Sequence, residues 1–337
     1  MRAEPRRPVM ISRRTFVATL TGGLLHAPLA AAAQQSGTLH RIGFLGNSTE
    51  ALEANLVGPF RDGFRELGYV EGRDLIIEYR WAGGEYERFP ALIAELVALK
   101  VEVIVTAGTP AALAVRRATT AIPLVMVAVG DPVGTGLVAS LARPGGNLTG
   151  LISIAPDLEG KRLELLTEVV PKLSHVAFLL NPANAFHVGS EKQARAAAKL
   201  LHLKVEFVAV RAESEFDRAF QAISSQRPGA LVMLADRLFL HHRARIVDFA
   251  ARNHLPTVYA YTELVEAGGL MSFGPSYPGM HRRAAYFVDK ILKGVRPADL
   301  PMEQPSKFEL VINLRTARAL GLTVPQTVLL RADELIQ

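Results

Sequence analysis

The sequence predicts an α/β fold of two doubly wound parallel-sheet lobes joined by a multi-strand hinge, and three observations carry that expectation. The 337 residues, about half of them hydrophobic, suffice for two cores on a scale of about 100 to 200 residues per domain. Short β-branched runs alternate with segments whose apolar residues recur at helical spacing, the pattern of parallel strands beneath covering helices. That series occurs twice, on either side of the turn-rich stretch Arg143-Pro144-Gly145-Gly146-Asn147.

In the first series a strand is expected at 41–46, then a helix around 59–67 with Phe60, Phe64 and Leu67 on one face and Gly68 as its stop. A strand at 75–79, a helix at 87–99, a strand at 101–106, a helix opening at Thr109-Pro110 and a strand at 124–128 follow. The second series runs helix 160–170, strand 175–180, helix 191–201 and strand 204–208. It continues with a helix whose Phe216, Ala219, Phe220 and Ile223 share a face, a strand at 230–234, a helix at 240–253 and a strand at 257–261. The segment 268–274 and the helix 277–292 are expected to return the chain to the first lobe. The tail gives one more strand, 308–313, and a short helix. The expected domains are a signal at 1–33, one lobe of 40–152 plus about 275–304, and a second of 153–274 plus about 305–337.

The formal charge of +6 has a local origin. Arg2, Arg6, Arg7, Arg13 and Arg14 stand against Glu4 alone in the first 33 residues, and without them 33 basic and 31 acidic side chains remain, a net +2. Nucleic acid is therefore not an expected partner. The same N-terminus runs basic, then apolar from Val17 to Ala33 with Gly22, Gly23, His26 and Pro28 inside it, then ends in three alanines. This fits a cleaved export signal better than a span of about 20 unbroken apolar residues. Arg13-Arg14 followed by Thr15-Phe16 is similar to a bacterial twin-arginine signal, although the pair also serves as the basic region of an ordinary one. The expected destination is the periplasm. With no cysteine in the sequence, disulfides, thiolate zinc sites, a cysteine nucleophile and a cysteine-linked lipid anchor are not expected.

Ligands of open α/β sheets bind outside the carboxyl ends of the strands, where helix N-termini present free N–H groups. Asn47 and Ser48 follow the first strand, and Gly108 and Thr109 the third; they can receive a carboxylate or act as simple N-caps. Asp131, in the Gly-rich Val129-Gly130-Asp131-Pro132 turn, can hold an ammonium group or shape an Asx turn. In the second lobe Asn181, Asn184, Asp236 and Tyr261 occupy the corresponding ends, with Asp236 able instead to pair with Arg237. Acidic and phenolic groups facing hydroxyl-lined helix ends suit a zwitterion. Trp81 reads as packing beneath a helix, and the adjacent His241 and His242 point apart without a third ligand, so no metal is expected. The sequence has no H-E-x-x-H, no G-x-S-x-G and no nucleotide-binding glycine pattern, so neither catalytic residue nor cofactor is expected.

Six stretches resemble the bacterial ABC-transporter substrate-binding proteins of the tryptophan/tyrosine transport type: FRELGYVEG at 64–72, IEYRWA at 77–82, TAGTPAAL at 106–113, VGDPVG at 129–134, LARPGGNLTG at 141–150 and KFELVINL at 307–314. The resemblance covers roughly the whole mature chain. It implies a type I periplasmic-binding-protein fold and capture of an amino acid or similar small polar ligand as two lobes close about a hinge. The implied partner is an ABC permease in the inner membrane powered by a cytoplasmic ATPase. A monomer suits such a carrier. The family's contact positions fall on the strand ends already read, Thr109, Asp131 and Asp236 among them. An exported enzyme and a ligand-sensing domain are the alternatives on the same frame.

Overall fold

In the computed structural model, which describes residues 39–153 and 158–337, the first sheet is built from β1 (His40–Gly46), β2 (Leu75–Trp81), β3 (Val103–Ala107), β4 (Leu124–Val129) and β5 (Leu148–Ile152). They lie in the order β2-β1-β3-β4-β5 and every pair is parallel. The helices α1 (Ala54–Glu66), α2 (Phe89–Ala98) and α3 (Thr109–Ala118) make the crossovers. β3, β4 and β5 are buried along their whole length, as strands covered on both faces must be. The expected export segment lies outside the described residues.

β5 is absent from the sequence expectation because it follows directly on the Gly-rich turn and carries a glycine. Gly150 has φ +134°, and a Cβ there meets the Met126 backbone carbonyl, so only glycine fits this close strand approach. α1 begins a turn and a half before Pro59, because Leu56 and Val57 are buried on the same face as Phe60 and Phe64.

The second sheet holds β6 (His175–Leu180), β7 (Lys204–Ala209), β8 (Ala230–Met233), β9 (Thr257–Tyr259), β10 (Met271–Pro275), β11 (Phe308–Asn313) and β12 (Glu334–Ile336), in the order β12-β11-β10-β9-β8-β6-β7. Only the β10–β11 pair is antiparallel. Its helices are α4 (Leu158–Val169), α5 (Phe186–Leu200), α6 (Phe216–Gln226), α7 (Arg237–His241), α8 (Arg243–Arg252), α9 (Thr262–Glu266), α10 (Tyr277–Leu292), α11 (Leu314–Ala319) and α12 (Gln326–Leu329).

Two expectations need correction. The segment around 268–274 does not return to the first half: β10 pairs with β9 and β11 inside the second sheet, and only α10 goes back, to lie on α1, β4 and β5. The helix expected at 240–253 is two helices that meet at His242, because the Asp236 side chain caps Leu238 N and starts α7 early. The chain crosses between the halves after Ile152, between Pro275 and Tyr277, and between Glu303, which bridges to Leu151, and Phe308. A continuous apolar cluster joins Phe44 and Phe60 in the first half to Phe239 and Tyr261 in the second.

Candidate functional site

The C-terminal ends of both sheets converge on a narrow cavity with an open interior of about 20 Å³. The first half contributes Gly108, Thr109, Pro110, Ala128, Gly130 and Ser153. The second contributes Asn184, Phe186, Ala235, Asp236, Arg237 and Tyr261, and Tyr277 enters from the crossing into α10.

Each wall follows from local structure. Gly108, at φ +82°, turns β3 into α3, whose first turn carries no side-chain cap. Thr109 is buried and its hydroxyl is already engaged: Oγ1 donates to Gly130 O at 3.3 Å and accepts from Gly130 N at 3.2 Å. This ties α3 to the end of β4, where the register slips between Met126 and Val129 and Ala128 takes φ +54°. Phe186, on the first turn of α5, lies across the divide against Gly130, where a Cβ meets its ring.

Asp236 is 1 % exposed and its carboxylate accepts four hydrogen bonds. Oδ1 takes Tyr86 Oη at 2.6 Å, Leu238 N at 2.9 Å and Asn181 Nδ2 at 3.3 Å, and Oδ2 takes Asn184 Nδ2 at 2.9 Å. Tyr86 belongs to the first half, so this bond crosses the cleft. Burial, and then the Asp236 charge, push its phenol well above the ordinary range. Three further bonds span the divide: Leu238 N donating to Tyr86 Oη at 3.3 Å, Ser48 Oγ to His241 Nδ1 at 2.6 Å and Asn55 Nδ2 donating to Glu263 Oε1 at 2.7 Å. The halves are thus in contact around the cavity.

Arg237 is in the opposite state. It is 4 % exposed, and neither Nη1 nor Nη2 has a hydrogen-bond partner. Its guanidinium carbon lies 5.3 Å from the centre of the Tyr261 ring and 5.1 Å from that of Tyr277, close enough for cation–π attraction. Burial opposes its charge, but the acidic groups around it, Tyr261, Glu53, Tyr277 and Glu263, outweigh that and raise its pKa. Glu53 is also buried; desolvation raises its carboxyl against the opposing pull of Arg237 and the N–H groups of Ser48 and Asn47, both of which donate to Oε1. The site therefore holds a buried cation whose donors point at no acceptor.

Of the residues singled out in the sequence, Gly108, Thr109, Asn184, Asp236 and Tyr261 meet at the cavity. Asn181 stands one step behind, holding Asp236. Asn47 lies at the end of β1, where Nδ2 donates to Ala107 O at 2.9 Å and Oδ1 has no donor. Asp131 is outside the walls; its Oδ1 accepts Gly134 N at 2.8 Å in the turn after β4. Arg237, Tyr277, Phe186 and Tyr86 are the additional members. Arg237 is legible as the residue after Asp236, whereas Tyr86 meets its partner across 150 positions and leaves no local signal. Trp81 stacks on Tyr79 inside the first half. Among the described residues no helix is long and apolar enough to cross a membrane.

The comparisons agree with this geometry. Residues 48–336 match the family model of the ABC transporter substrate binding protein. The chain is 26 % identical over 266 residues to the tyrosine-binding protein of Clostridioides difficile (strain R20291), covering 78 % of this chain and 75 % of that one. It superposes with a TM-score of 0.83 on the structure of an ABC domain in complex with L-Trp from Streptococcus pneumonia, at 27 % identity over 89 % of this chain and all of the other. A leucine-binding protein, LivK, from Thermotoga maritima shares the fold at 15 % identity and a TM-score of 0.56, over 75 % of this chain and 83 % of that one. The two sheets, the three crossings and the cavity at the strand ends are those of a type I periplasmic binding fold, and the chain belongs to the ABC transporter substrate-binding protein family.

Proposed function

We propose that the protein captures an aromatic carboxylate, an aromatic L-amino acid being the type the relatives' names point to, in the cavity between its sheets. The observation that carries this reading is the buried Arg237 guanidinium, with two unpartnered nitrogens beside the uncapped first turn of α3. A buried cation without hydrogen bonds is costly, and a ligand carboxylate satisfies it while also meeting the positive end of the α3 dipole. In this reading Thr109 receives the carboxylate through its backbone N–H, while Gly108, whose own N–H is bound to Val127 O at 2.9 Å, supplies the left-handed turn that aims it. Tyr261 supports the guanidinium, Asn181 and Asn184 fix Asp236, and Asp236 latches the halves through Tyr86. Asn47 buttresses the end of β1, and Asp131 shapes the loop after β4.

The moving bodies are 40–152 with 275–304, and 153–274 with 305–337. The packing of α10 on α1 and the pairing of β11 with β10 support that division. Closure is then driven by contacts that only the ligand bridges. The protein acts as a carrier and not an enzyme, exported to the periplasm by the twin-arginine-like segment, and as a monomer delivers its ligand to an ABC permease in the inner membrane.

The test is calorimetric titration of L-tryptophan, L-tyrosine and L-phenylalanine into the wild type and Arg237→Gln. Removing one partner of a buried ion pair costs about 3–5 kcal/mol, which corresponds to a loss of affinity of about 100-fold or more. Wild-type affinity in Arg237→Gln removes the guanidinium from the site, and recovery of a chemically altered ligand after incubation refutes the carrier role.

A further inference from the structure

Resting on the capture reading for the class of ligand, we propose that Phe186 is an internal competitor for the site: its ring occupies the place that the ligand's aromatic ring takes, and it swings out toward solvent when the site fills. The room in the cavity calls for such a movement. An open interior of about 20 Å³ holds about one water molecule, and an amino acid with an aromatic ring needs several times that space. Part of the wall therefore yields to the ligand. Most of it is fixed. Tyr261 and Tyr277 are 3 % and 4 % exposed, pack on each other with ring centres 4.7 Å apart and have Arg237 against both rings. Thr109 is tied to Gly130, Ser153 Oγ to Ala128 O, and Asn184 to Asp236.

Phe186 differs on each count. It is partly exposed, has no polar group to anchor its side chain, and is held by its backbone alone, Phe186 N donating to Asn184 Oδ1 at 3.1 Å. Rotation about χ1 moves the ring without moving α5. The opposite wall shows how closely the ring is seated. A Cβ placed on Gly130 lands on the Phe186 ring, three atoms of which are its nearest neighbours. Gly130 lies outside the left-handed φ region, so its backbone accepts a side chain and the ring alone demands glycine there. Gly130 also exchanges hydrogen bonds with Thr109 Oγ1 at the start of α3. The ring of a second-half residue thus rests on the first half, beside the N–H that the capture reading assigns to the ligand's carboxylate. When it leaves, a ligand's ring can make the same apolar contact across the divide.

Calorimetric titration of L-tryptophan, L-tyrosine and L-phenylalanine into the purified full chain and its Phe186→Ala variant tests this. The apparent Kd is the intrinsic one divided by the fraction of molecules whose ring is out of the site. Without the ring every molecule is competent, so Kd is expected to fall about tenfold in Phe186→Ala for each amino acid that binds. Binding by Phe186→Ala where the wild type is silent supports the proposal in the same way. An unchanged Kd overturns it, and so does a raised one, which makes Phe186 a stacking partner of the ligand; in both cases carboxylate capture stands or falls separately, on Arg237→Gln. Silence of both proteins toward all three amino acids overturns the two readings together. Gly130→Ala reads the contact itself with no ligand added. It is expected to lower the melting temperature in the wild-type background, where methyl and ring claim the same space, and to leave that of Phe186→Ala unchanged. No loss in the wild-type background, or an equal loss in both, overturns the proposal.

Discussion

Tyr86→Phe isolates the bond that holds the two halves together from the bonds that hold the ligand. The phenol donates to Asp236 Oδ1 at 2.6 Å across the divide, while its ring stacks on Phe89 within the first half at 5.3 Å between centroids. Phenylalanine keeps the stack and removes only the hydroxyl. Hydrogen bonds to charged groups contribute about 1.5–3 kcal/mol net. Asp236 Oδ1 retains Leu238 N and Asn181 Nδ2, so no buried charge is orphaned and the lower end of that range applies. In an open form the bond is absent in both proteins, so the loss falls on closure and appears as ligand affinity. About 1.5 kcal/mol corresponds to a roughly tenfold higher Kd. Calorimetry with the tightest aryl carboxylate, paired with thermal melts of the ligand-free proteins, reads both effects. The expected result is a Kd raised about tenfold with a ligand-free melting temperature within a degree of wild type. An unchanged Kd, or an equal loss of stability with and without ligand, refutes the latch and makes the bond a static part of the fold.

Two predictions concern the frame. Arg162 and Glu159, paired at 2.7 Å and both about 2 % exposed, stand next to the crossing where Arg162 Nε donates to Phe273 O at 3.0 Å. Arg162→Met leaves the Glu159 carboxylate buried and unpaired and is expected to cost about 3–5 kcal/mol in urea unfolding, with most of it recovered in the Glu159→Leu/Arg162→Met double variant. His281 is buried with Nδ1–H on Tyr277 O and Nε2 unpartnered, and desolvation, with Arg237 nearby, depresses its pKa from 6.5 to about 3. A depressed folded-state value means that the unfolded chain binds the proton more readily, so the stability His281 supports is present above about pH 6.5 and is lost as pH falls from there toward 3. The expected slope is about 1.4 kcal/mol per pH unit, and the difference in unfolding free energy between wild type and His281→Leu, followed from pH 7 to 4, must show it.

The fold was legible where burial and periodicity agree. β6 and the helix bearing Phe216, Ala219 and Ile223 follow from apolar runs at strand and helix spacing, and the structure has them as expected. The reading broke down where a long-range contact outweighs a local signal. Gly150 belongs to no expected element of the sequence and to a strand in the structure, because its missing Cβ lets β5 approach the Met126 carbonyl, a partner 24 positions away. The 240–253 segment has helical periodicity throughout, yet Asp236 starts α7 upstream and the chain resets at His242. No window of neighbouring residues contains those causes.

Asp236 and Arg237 show why strand ends locate a site without assigning its chemistry. Adjacent in sequence and opposite in charge, they invite the reading of an ion pair or of a carboxylate free to hold an amine. Backbone geometry separates them: Asp236, in extended conformation at the N-cap, turns its oxygens back onto Leu238 N, where Asn181 and Asn184 from the end of β6 and Tyr86 from the other sheet also reach. Arg237, the first residue of α7, points elsewhere and is left between two tyrosine rings with no acceptor. The acid is thereby held by four structural donors, three of them on Oδ1, and the base is left without a hydrogen-bond partner.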